Sequence, residues 1–468
     1  MTGNGKSGAA FAGSSVLVLV ENLSVPFDRR VWQECTSLRH AGFDVTVICP
    51  RGTDRDDDAF EERDGIKIHR FLLQPAEGGG LSYIREYAVA LWKIQRLMRS
   101  LSRRTRFDVV HACNPPDLLL LPAVRLRRRQ GTRLVFDHHD LAPELYLSRF
   151  GRERDSLYRA LRVFERLSFR IADVVIATNE SYREIAMRRG AIRPEDVFVV
   201  RNGPDLDRFR PTEPDPAWKR GKRYLLAYVG MMGPQDGIDY ALRALAALRQ
   251  QRSDWHALFV GDGDVVPQMQ QLADQLGLHG LVEFTGLLQS EEVVRVLSSA
   301  DVCLAPEPLN ALNDLSTMIK VAEYLAMGRP VVAFDLKETR RTAGSAALYA
   351  PVNDVDMYAK EISSLLDDEG LRATMGATGR RRVEDDLSWE HSERRLLAAY
   401  ERVLSPDRPP TVTHAPDVAV GRPSNPFEAW RVAGRARGIC SYPFRRHRSS
   451  ERCEHNTIYL CFVERRRR

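Results

Sequence analysis

The 468-residue chain contains 43% hydrophobic and 28% charged residues, a balance typical of folded globular domains and not of disordered or membrane-spanning chains. No run of about 18 apolar residues occurs, which argues against a transmembrane helix, and the length allows two domains with separate cores. The net charge of +6 comes from one segment of the chain. Residues 405–468 hold 13 Arg against 6 acidic residues, and the remainder is nearly neutral. We therefore predict no specific nucleic-acid partner.

In chain order, residues 1–14 are small and polar and are predicted to be disordered. The apolar stretch 16–20 is too short for a signal-peptide core and is predicted to be the first strand. The seven cysteines are widely spaced and include no Cys-x-x-Cys pair, which argues against a disulfide framework. A reducing compartment, the cytoplasm, is therefore expected.

From residue 15 onwards, strand-like and helix-like segments alternate, which is typical of a parallel sheet covered by helices on both faces. The first strand-like runs are 16–20, 44–48, 66–71, 108–111, 133–137, 173–177 and 197–200. Helix-like stretches between them are 29–41, 83–101, 155–170 and 181–189. We assign residues 15–205 to a first Rossmann-like domain.

Residues 201–221 interrupt this alternation with Asn202-Gly203-Pro204 and further prolines, which indicates a domain boundary. We predict a linker at 206–222, a second Rossmann-like domain at 223–385, a closing helix at 386–404 and a basic, disordered tail at 405–468. The strand-like runs of the second domain are 224–229, 257–260, 282–284, 302–305 and 330–334. Its helix-like stretches are 237–250, 265–276, 291–299, 316–327, 355–366 and 371–385.

Two such domains, placed face to face, bring the loops at the carboxyl ends of their strands to one cleft. Neither domain shows the dinucleotide fingerprint Gly-x-Gly-x-x-Gly, because the Gly261-Asp262-Gly263 turn is not followed by a third glycine at the required spacing. A nicotinamide or flavin enzyme is therefore disfavoured.

The loop after the fourth strand of the second domain is the richest in polar side chains. Asp314 or Ser316 is expected to cap the helix that follows, and a helix N-terminus suits a phosphate. Thr317 adds a second hydroxyl beside Ser316, and Lys320 lies one turn further on. Glu323 is placed to accept hydrogen bonds from a ribose diol. The alternative is an ordinary amphipathic helix with a Lys320–Glu323 surface ion pair.

These residues carry a resemblance to a known family. The segment 323–332, Glu-Tyr-Leu-Ala-Met-Gly-Arg-Pro-Val-Val, resembles the helix–turn–strand signature of glycosyltransferase family 4, whose members have the two-domain GT-B fold. Segment 25–34 is similar to the subgroup that builds bacterial O-antigen, capsule and exopolysaccharide. Further segments that resemble the family follow in the expected order at 108–111, 114–117, 136–145, 172–175, 201–205 and 228–237.

The resemblance implies a nucleotide-diphosphate sugar donor, bound mainly by the second domain, and transfer with retention of anomeric configuration. It implies no metal ion and no other cofactor. Gly230 and Gly233 match the family loop that approaches the donor diphosphate, and Ser316 and Thr317 match the helix start beneath it. Glu323 matches the second acid of the family's Glu-x7-Glu motif, which holds the donor ribose.

The donor loop departs from the family pattern at two places. Leu315 stands where the first acid of Glu-x7-Glu belongs, with Asp314 and Glu307 as substitutes that are out of register. The Arg/Lys pair that many relatives carry after the Gly230 strand is absent. Lys320 is the candidate for the lost positive charge.

Sugar transfer leaves negative charge on the departing diphosphate, and we expect Lys320 to stabilise it. His139 matches the family histidine near the reacting centre, and Asp140 is the candidate to orient its ring. Arg29 and Arg30 open the first helix and are candidates for binding a glycan or lipid-linked acceptor. The alternatives are a surface lysine, a loop histidine and ordinary helix-start arginines.

The basic amphipathic stretch 83–106 either rests on anionic lipid or packs as an ordinary helix against its sheet. Peripheral contact with the inner face of the cell membrane therefore stays open. Two other functions also stay open: a sugar-nucleotide epimerase of the same fold, and a degenerate, non-catalytic subunit, which the loss of an acid at Leu315 would fit.

Overall fold

The computed structural model describes residues 11–52, 56, 58–74, 80–150 and 155–405. The predicted disordered segments at both ends lie outside this range, apart from residues 11–14 and 405. Within it the predicted α/β architecture is confirmed, because two mainly parallel sheets are each flanked by helices. None of the helices described is both long and apolar enough to cross a membrane.

The first domain is an eight-stranded sheet in the order β3-β4-β2-β1-β5-β6-β7-β8, parallel except at its β3–β4 edge. Its strands are β1 (Ser15–Leu19), β2 (Asp44–Pro50), β3 (Phe60–Arg63), β4 (Ile66–Phe71), β5 (Val109–Cys113), β6 (Arg133–His138), β7 (Val174–Ala177) and β8 (Val197–Val199). Sequence analysis missed β3, in which three charged residues follow an exposed phenylalanine, Phe60. The sequence signal for β3 was the Asp64-Gly65 pair, which is typical of a tight hairpin turn. In the structure both residues have positive φ, 52° and 74°, as such a turn requires.

Helices cover both faces of this sheet. They are α1 (Arg29–His40), α2 (Gly80–Leu101), α3 (Val124–Gln130), α4 (Ala142–Phe150), α5 (Ser156–Ile171) and α6 (Glu180–Gly190). A 3₁₀ turn, Asp117–Ala123, precedes α3. Apolar residues of α2, the 3₁₀ turn, α5 and α6 form one core with the sheet, and α1 contributes to a second core on the other face.

The second domain is a fully parallel six-stranded sheet in the order β11-β10-β9-β12-β13-β14. Its strands are β9 (Tyr224–Val229), β10 (Trp255–Val260), β11 (Val282–Gly286), β12 (Val302–Ala305), β13 (Val331–Phe334) and β14 (Ala347–Ala350). Its helices are α7 (Ile238–Arg249), α8 (Val266–Gln275), α9 (Ser290–Ser299), α10 (Ile319–Ala326), α11 (Lys337–Ala343), α12 (Val355–Asp367) and α13 (Glu369–Arg382).

The last helix, α14 (Trp389–Leu404), returns to the first domain. The hydroxyl of Tyr400 lies 2.9 Å from Nδ1 of the buried His111, and the Trp389 indole donates to Ser37 at 3.1 Å. The first domain also begins before residue 15, the boundary predicted from sequence, because the Phe11 ring stacks on Phe43 at 4.6 Å. Both chain ends of the described part therefore complete the same core.

Candidate active site

Side-chain alternation at the end of β6 separates two neighbouring histidines. Residues two apart on a strand face the same way, so His138 shares its face with Phe136 and packs among Phe169 and Tyr182. Asp137 points to the opposite face, towards α1. His138 is therefore a core residue, and His139 follows it in the loop at the carboxyl edge of the sheet.

Asp137 is the buried centre of the first-domain site. Arg30 of α1 grips both of its carboxylate oxygens, at 2.9 and 2.8 Å. The remaining Arg30 nitrogen donates to the Val200 carbonyl at 3.0 Å and to the Asn202 side chain at 2.5 Å. Arg30 is therefore not placed as predicted for an acceptor-binding residue. Its side chain is buried beneath the site, and its charge is paired with Asp137.

The ring of His139 is held by Asp137, with 3.0 Å between Nδ1 and a carboxylate oxygen. Burial lowers the pKa of His139, but the charge and hydrogen bond of Asp137 outweigh it and raise the pKa to about 9. His139 is therefore an imidazolium at neutral pH. Its Nε2 makes no hydrogen bond within the described residues.

The orienting role predicted for Asp140 falls to Asp137 instead. The backbone of Asp140 is fixed by Asn114, which accepts from its N–H at 3.0 Å and donates to its carbonyl at 2.8 Å. The same Asn114 oxygen accepts the backbone N–H of His139 at 2.9 Å. Asp140 also stabilises the His139 cation electrostatically, but less than Asp137 does. Asp137 precedes the histidine pair directly, and strand alternation was the signal that could have found it.

Four buried side chains beneath His139 have the residue types of a metal site. Ligand atoms of Glu34, His111, Cys113 and Asp137 lie within 4.8 Å of one another. Arg30, however, already occupies both oxygens of Asp137 and lies 3.1 Å from Glu34. Burial lowers the pKa of His111 to about 4 and raises that of Glu34 to about 8. These residues do not fit a cation, because a guanidinium already supplies the positive charge.

In the second domain, Lys320 of α10 lies in a buried polar cluster. Its ammonium group donates to the Tyr228 hydroxyl at 2.7 Å and to Glu307 at 2.6 Å, with Asp236 at 3.4 Å. Burial lowers the pKa of Lys320, and the Glu307 carboxylate more than reverses this, so the pKa is raised. All three ammonium hydrogens thus have partners inside the protein. Lys320 as the diphosphate contact stays a prediction.

The glycine-rich loop after β9 runs close to its neighbours. A Cβ at Gly230 would lie 2.9 Å from Cε of Lys320, so glycine there leaves room for the lysine. The N–H of Gly233 donates to the Asp236 carboxylate at 2.9 Å. Asp236, which stands where the family resemblance led us to expect a basic residue, therefore holds this loop in place from within.

Gly261→Ala is expected to lower the free energy of unfolding by at least about 2 kcal/mol. Gly261 has φ of 136°, and an added Cβ would lie 1.9 Å from the Gly230 carbonyl oxygen. Gly280→Ala is the matched control, because its φ is 75° and nothing lies within 4 Å, so only a backbone cost of about 1 kcal/mol applies. Urea denaturation measures both. Equal losses would show that the close approach is not maintained.

The predicted capping of α10 is wrong. The helix begins at Ile319, later than predicted, and its N-cap residue, Met318, makes no side-chain cap bond. The Asp314 carboxylate instead accepts the backbone N–H of Lys337 at the start of α11, at 2.9 Å. The free N–H groups of α10 are therefore not covered by the two side chains expected to cap them.

The loop before α10 is tied to the first domain. Ser316 lies 3.0 Å from the Tyr182 hydroxyl, and Asn179 donates to Thr317 at 3.1 Å and to the Leu315 carbonyl at 2.9 Å. Leu315 itself packs, with Leu312, against the apolar core of the first domain. This explains the departure at position 315: the side chain there makes an interdomain contact that a carboxylate would disrupt.

Glu323 lies where the two domains and the linker meet. Burial raises its pKa, while Arg208 of the linker and Arg29 of α1 act in the opposite direction. Arg29 is exposed, and the buried Nε of Arg208 has no hydrogen-bond partner within the described residues. A partly buried carboxylate is thus within electrostatic range of two cations, one from the linker and one from the first domain, and Arg208 is a residue of this region that sequence analysis missed.

Two mainly parallel α/β domains whose polar loops meet have the architecture of the GT-B fold, and the comparisons with known proteins identify the family. Residues 28–203 match the glycosyl transferase 4-like domain, and residues 223–368 match glycosyl transferases group 1. The chain belongs to glycosyltransferase family 4. Transfer of a sugar from a nucleotide-sugar donor is therefore its activity class.

Its relatives have several acceptors. The chain is 27% identical to the MMP alpha-(1->4)-mannosyltransferase of Mycolicibacterium hassiacum, covering 65% of this chain and 72% of the relative. It is 26% identical to the phosphatidyl-myo-inositol mannosyltransferase of Mycolicibacterium smegmatis, covering 80% and 89%. Its fold is similar to sucrose-phosphate synthase from Thermosynechococcus elongatus (TM-score 0.68, 20% identity, 83% and 98% covered) and to Anabaena HepE with UDP and glucose (0.63, 18%, 83% and 99%).

Proposed function

We propose that this protein is a retaining, metal-independent glycosyltransferase that acts in the synthesis of a cell-surface polysaccharide. Its donor is a nucleotide-diphosphate sugar, and its acceptor is a glycan or a lipid-linked sugar. The proposed location is the cytoplasm, with peripheral contact at the inner face of the cell membrane. Relatives whose names specify alpha linkages and a phosphatidyl-inositol acceptor support this choice.

The single observation that carries the proposal is the cation at His139, held by buried Asp137 at the edge of the first domain. Arg29, next in sequence to the arginine that grips Asp137, is electrostatically coupled to Glu323 of the second domain. The two half-sites are therefore within electrostatic range of each other. An imidazolium there can donate a hydrogen bond to the sugar or to the leaving phosphate oxygen as charge develops on it.

The donor is proposed to lie along the second domain. Glu323 accepts hydrogen bonds from the ribose, and the Gly230–Gly233 loop and the uncapped start of α10 receive the diphosphate. Ser316 and Thr317 would exchange their first-domain partners for phosphate oxygens. Arg208 supplies positive charge nearby, whereas Lys320 would have to exchange Glu307 or Asp236 for a phosphate oxygen.

A thermal-shift screen against UDP, GDP, ADP and TDP tests the donor site. One nucleotide class is expected to stabilise the fold by about 2.7 kcal/mol at a concentration of 100 times Kd. Glu323→Gln is expected to remove most of that shift. Glu401→Gln, an exposed change on α14, is the matched control and should keep it. No shift with any nucleotide, from folded protein, would favour the non-catalytic subunit.

Product analysis separates the two enzymatic functions. Incubation with the stabilising nucleotide's sugars and a membrane-lipid extract is expected to release nucleoside diphosphate only when acceptor is present. Conversion of the nucleotide sugar to an epimer without acceptor would identify an epimerase. His139→Ala is expected to bind the nucleotide normally and to lose at least about 100-fold in turnover.

A further inference from the structure

The backbone pairing of β5 with β6 stops just before the loop that carries His139. Asn114 follows β5, and its backbone N–H donates to the Asp137 carbonyl at 3.1 Å. The next two residues, Pro115 and Pro116, have no N–H to donate. The loop after β6 therefore cannot receive backbone N–H groups from these two residues, and its partly buried backbone groups need other partners.

The side chain of Asn114 supplies those partners. Its oxygen accepts the backbone N–H groups of His139 at 2.9 Å and of Asp140 at 3.0 Å. Its nitrogen donates to the Asp140 carbonyl and to the Asp117 carboxylate, both at 2.8 Å. Two lone pairs and two N–H groups are the full capacity of an amide, so this buried side chain has no hydrogen bond left to make. Because its oxygen meets only donors and its nitrogen only acceptors, the amide has a single orientation.

Asn114 is in turn supported from α5. Asp117, the first residue of the 3₁₀ turn, is buried, and its backbone carbonyl accepts the hydroxyl of Ser168 on α5. A continuous set of hydrogen bonds therefore runs from α5 through Asp117 and Asn114 to the backbone of His139. Asp137 holds the ring of His139 at 3.0 Å, so the ring and the backbone have separate supports.

We propose that Asn114 is a positioning residue for His139 and that Asp117 supports it in this role. The imidazole can reach Asp137 only while its backbone stays in place, and the Asn114 amide fixes that place. A reacting group displaced by about 1 Å can lose about 100-fold in rate. Asn114 has no free polar atom for a substrate, so it acts through His139 and not on the sugar. This role rests on the catalytic function proposed for His139, and it accounts for the polar residues of segment 114–117.

A double-variant cycle tests whether Asn114 acts through His139. Turnover is measured as the nucleoside diphosphate that is released from the nucleotide sugar in the presence of the membrane-lipid extract. Asn114→Ala is expected to lower turnover about 100-fold while the KM for the donor is unchanged. In His139→Ala the same change is expected to cause no further loss, because the group that Asn114 positions is absent. An equal loss in both backgrounds would overturn the proposal.

Two further variants separate positioning from stability. Asn114→Asp keeps an oxygen that accepts both loop N–H groups, so it is expected to lose much less turnover than Asn114→Ala does. Thr132→Val removes one buried hydrogen bond at the opposite end of β6, from the Thr132 hydroxyl to the Phe107 carbonyl at 2.8 Å. It should lower stability without changing turnover. If turnover follows urea stability across these three variants, Asn114 is only structural and the proposal fails.

The titration of His139 is a readout that needs no activity. It is followed by NMR of isotope-labelled histidine, and the His139 signal is the one missing from His139→Ala. The pKa of about 9 is expected to fall towards 6.5 in Asn114→Ala, because the ring leaves Asp137. Asp137, Asp140 and Arg30, whose charges act on the ring, are unchanged in this variant. If Asn114→Ala does not fold, Asp117→Ala is expected to show the same changes with a smaller amplitude.

The outcomes distinguish this role from the proposed function. Full turnover in His139→Ala, together with a lowered His139 pKa in Asn114→Ala, would contradict the catalytic function alone. Lost turnover in His139→Ala, with turnover and the His139 pKa unchanged in folded Asn114→Ala or Asp117→Ala, would contradict the positioning role alone.

Discussion

Asp137→Asn is expected to lower the free energy of unfolding by about 3–5 kcal/mol, because it removes the carboxylate to which the buried Arg30 guanidinium donates two hydrogen bonds. Arg30 bonds both Asp137 oxygens and is itself only 8% exposed. Urea denaturation measures the loss. The matched control is Asp44→Asn, which removes a half-exposed carboxylate paired with Lys67 at 2.9 Å and should cost less than about 1 kcal/mol.

The same substitution is expected to change the pH dependence of activity. The folded-state pKa of His139, about 9, lies above the ordinary value of 6.5. Its contribution to stability is therefore fully present below about pH 6.5 and is lost as pH rises through about 9. Under the proposed function, kcat/KM should fall on the alkaline side near that pKa. In Asp137→Asn the fall should move to lower pH, because the anion that holds the proton is gone.

A pH–rate profile measured on folded variant protein separates two roles for Asp137. A shifted alkaline limb supports positioning and protonation of His139. An unchanged limb in a destabilised protein would mean that Asp137 only holds Arg30 and α1 in place.

Glu307→Gln is expected to be the second strongly destabilising substitution, again by about 3–5 kcal/mol, because Lys320 keeps its charge in a buried site. Lys320→Met should cost less. Burial already raises the pKa of Glu307, so this carboxyl can take up a proton once the lysine is gone. The double variant should be more stable than the sum of the single losses implies, because the two groups form one pair at 2.6 Å.

Nucleotide binding by the same variants decides what Lys320 does. If its ammonium group reaches the donor diphosphate, Lys320→Met should weaken nucleoside-diphosphate binding at least about tenfold while nucleoside binding is unchanged. If Lys320 only braces Glu307 and the Gly230 loop, both ligands should be affected alike. Denaturation and binding titrations of the four proteins give both answers, and additive stability losses would contradict the ion pair.

The domains and most of their elements follow from local patterns. Apolar runs such as those of β9 and β12, bounded by turn residues, predict buried parallel strands wherever the chain continues into a helix. Two further elements, the short apolar strand β14 and the helix α4, were also missed. Three others lack such a pattern. The edge strand β3 is charged, and α3 and α11 are short, with basic and polar residues on most of their surface. Their conformations depend on what they pack against.

For the site, too, residues in local motifs were predicted and residues whose roles depend on packing were not. The family motifs led to His139 and Glu323, because those residues stand in ordered segments beside strand ends. Asp137 was overlooked although it is two residues from His139, and Arg30 was assigned to the acceptor although it is buried. Which carboxylate orients the ring depends on how β6 packs against α1. These two elements are far apart in the sequence, and Arg30 and Asp137, which pair across them, are separated by 107 positions.

The sequence by itself determined the two-domain α/β architecture, the family and the strand-end loops that carry the site, since these depend on periodicity and on contiguous motifs. Only the tertiary structure decided that Arg30 supports Asp137, that Lys320 is neutralised by Glu307 and that Leu315 joins the two domains. Charge pairing and desolvation depend on distances between groups remote in the chain, and no local pattern encodes those distances.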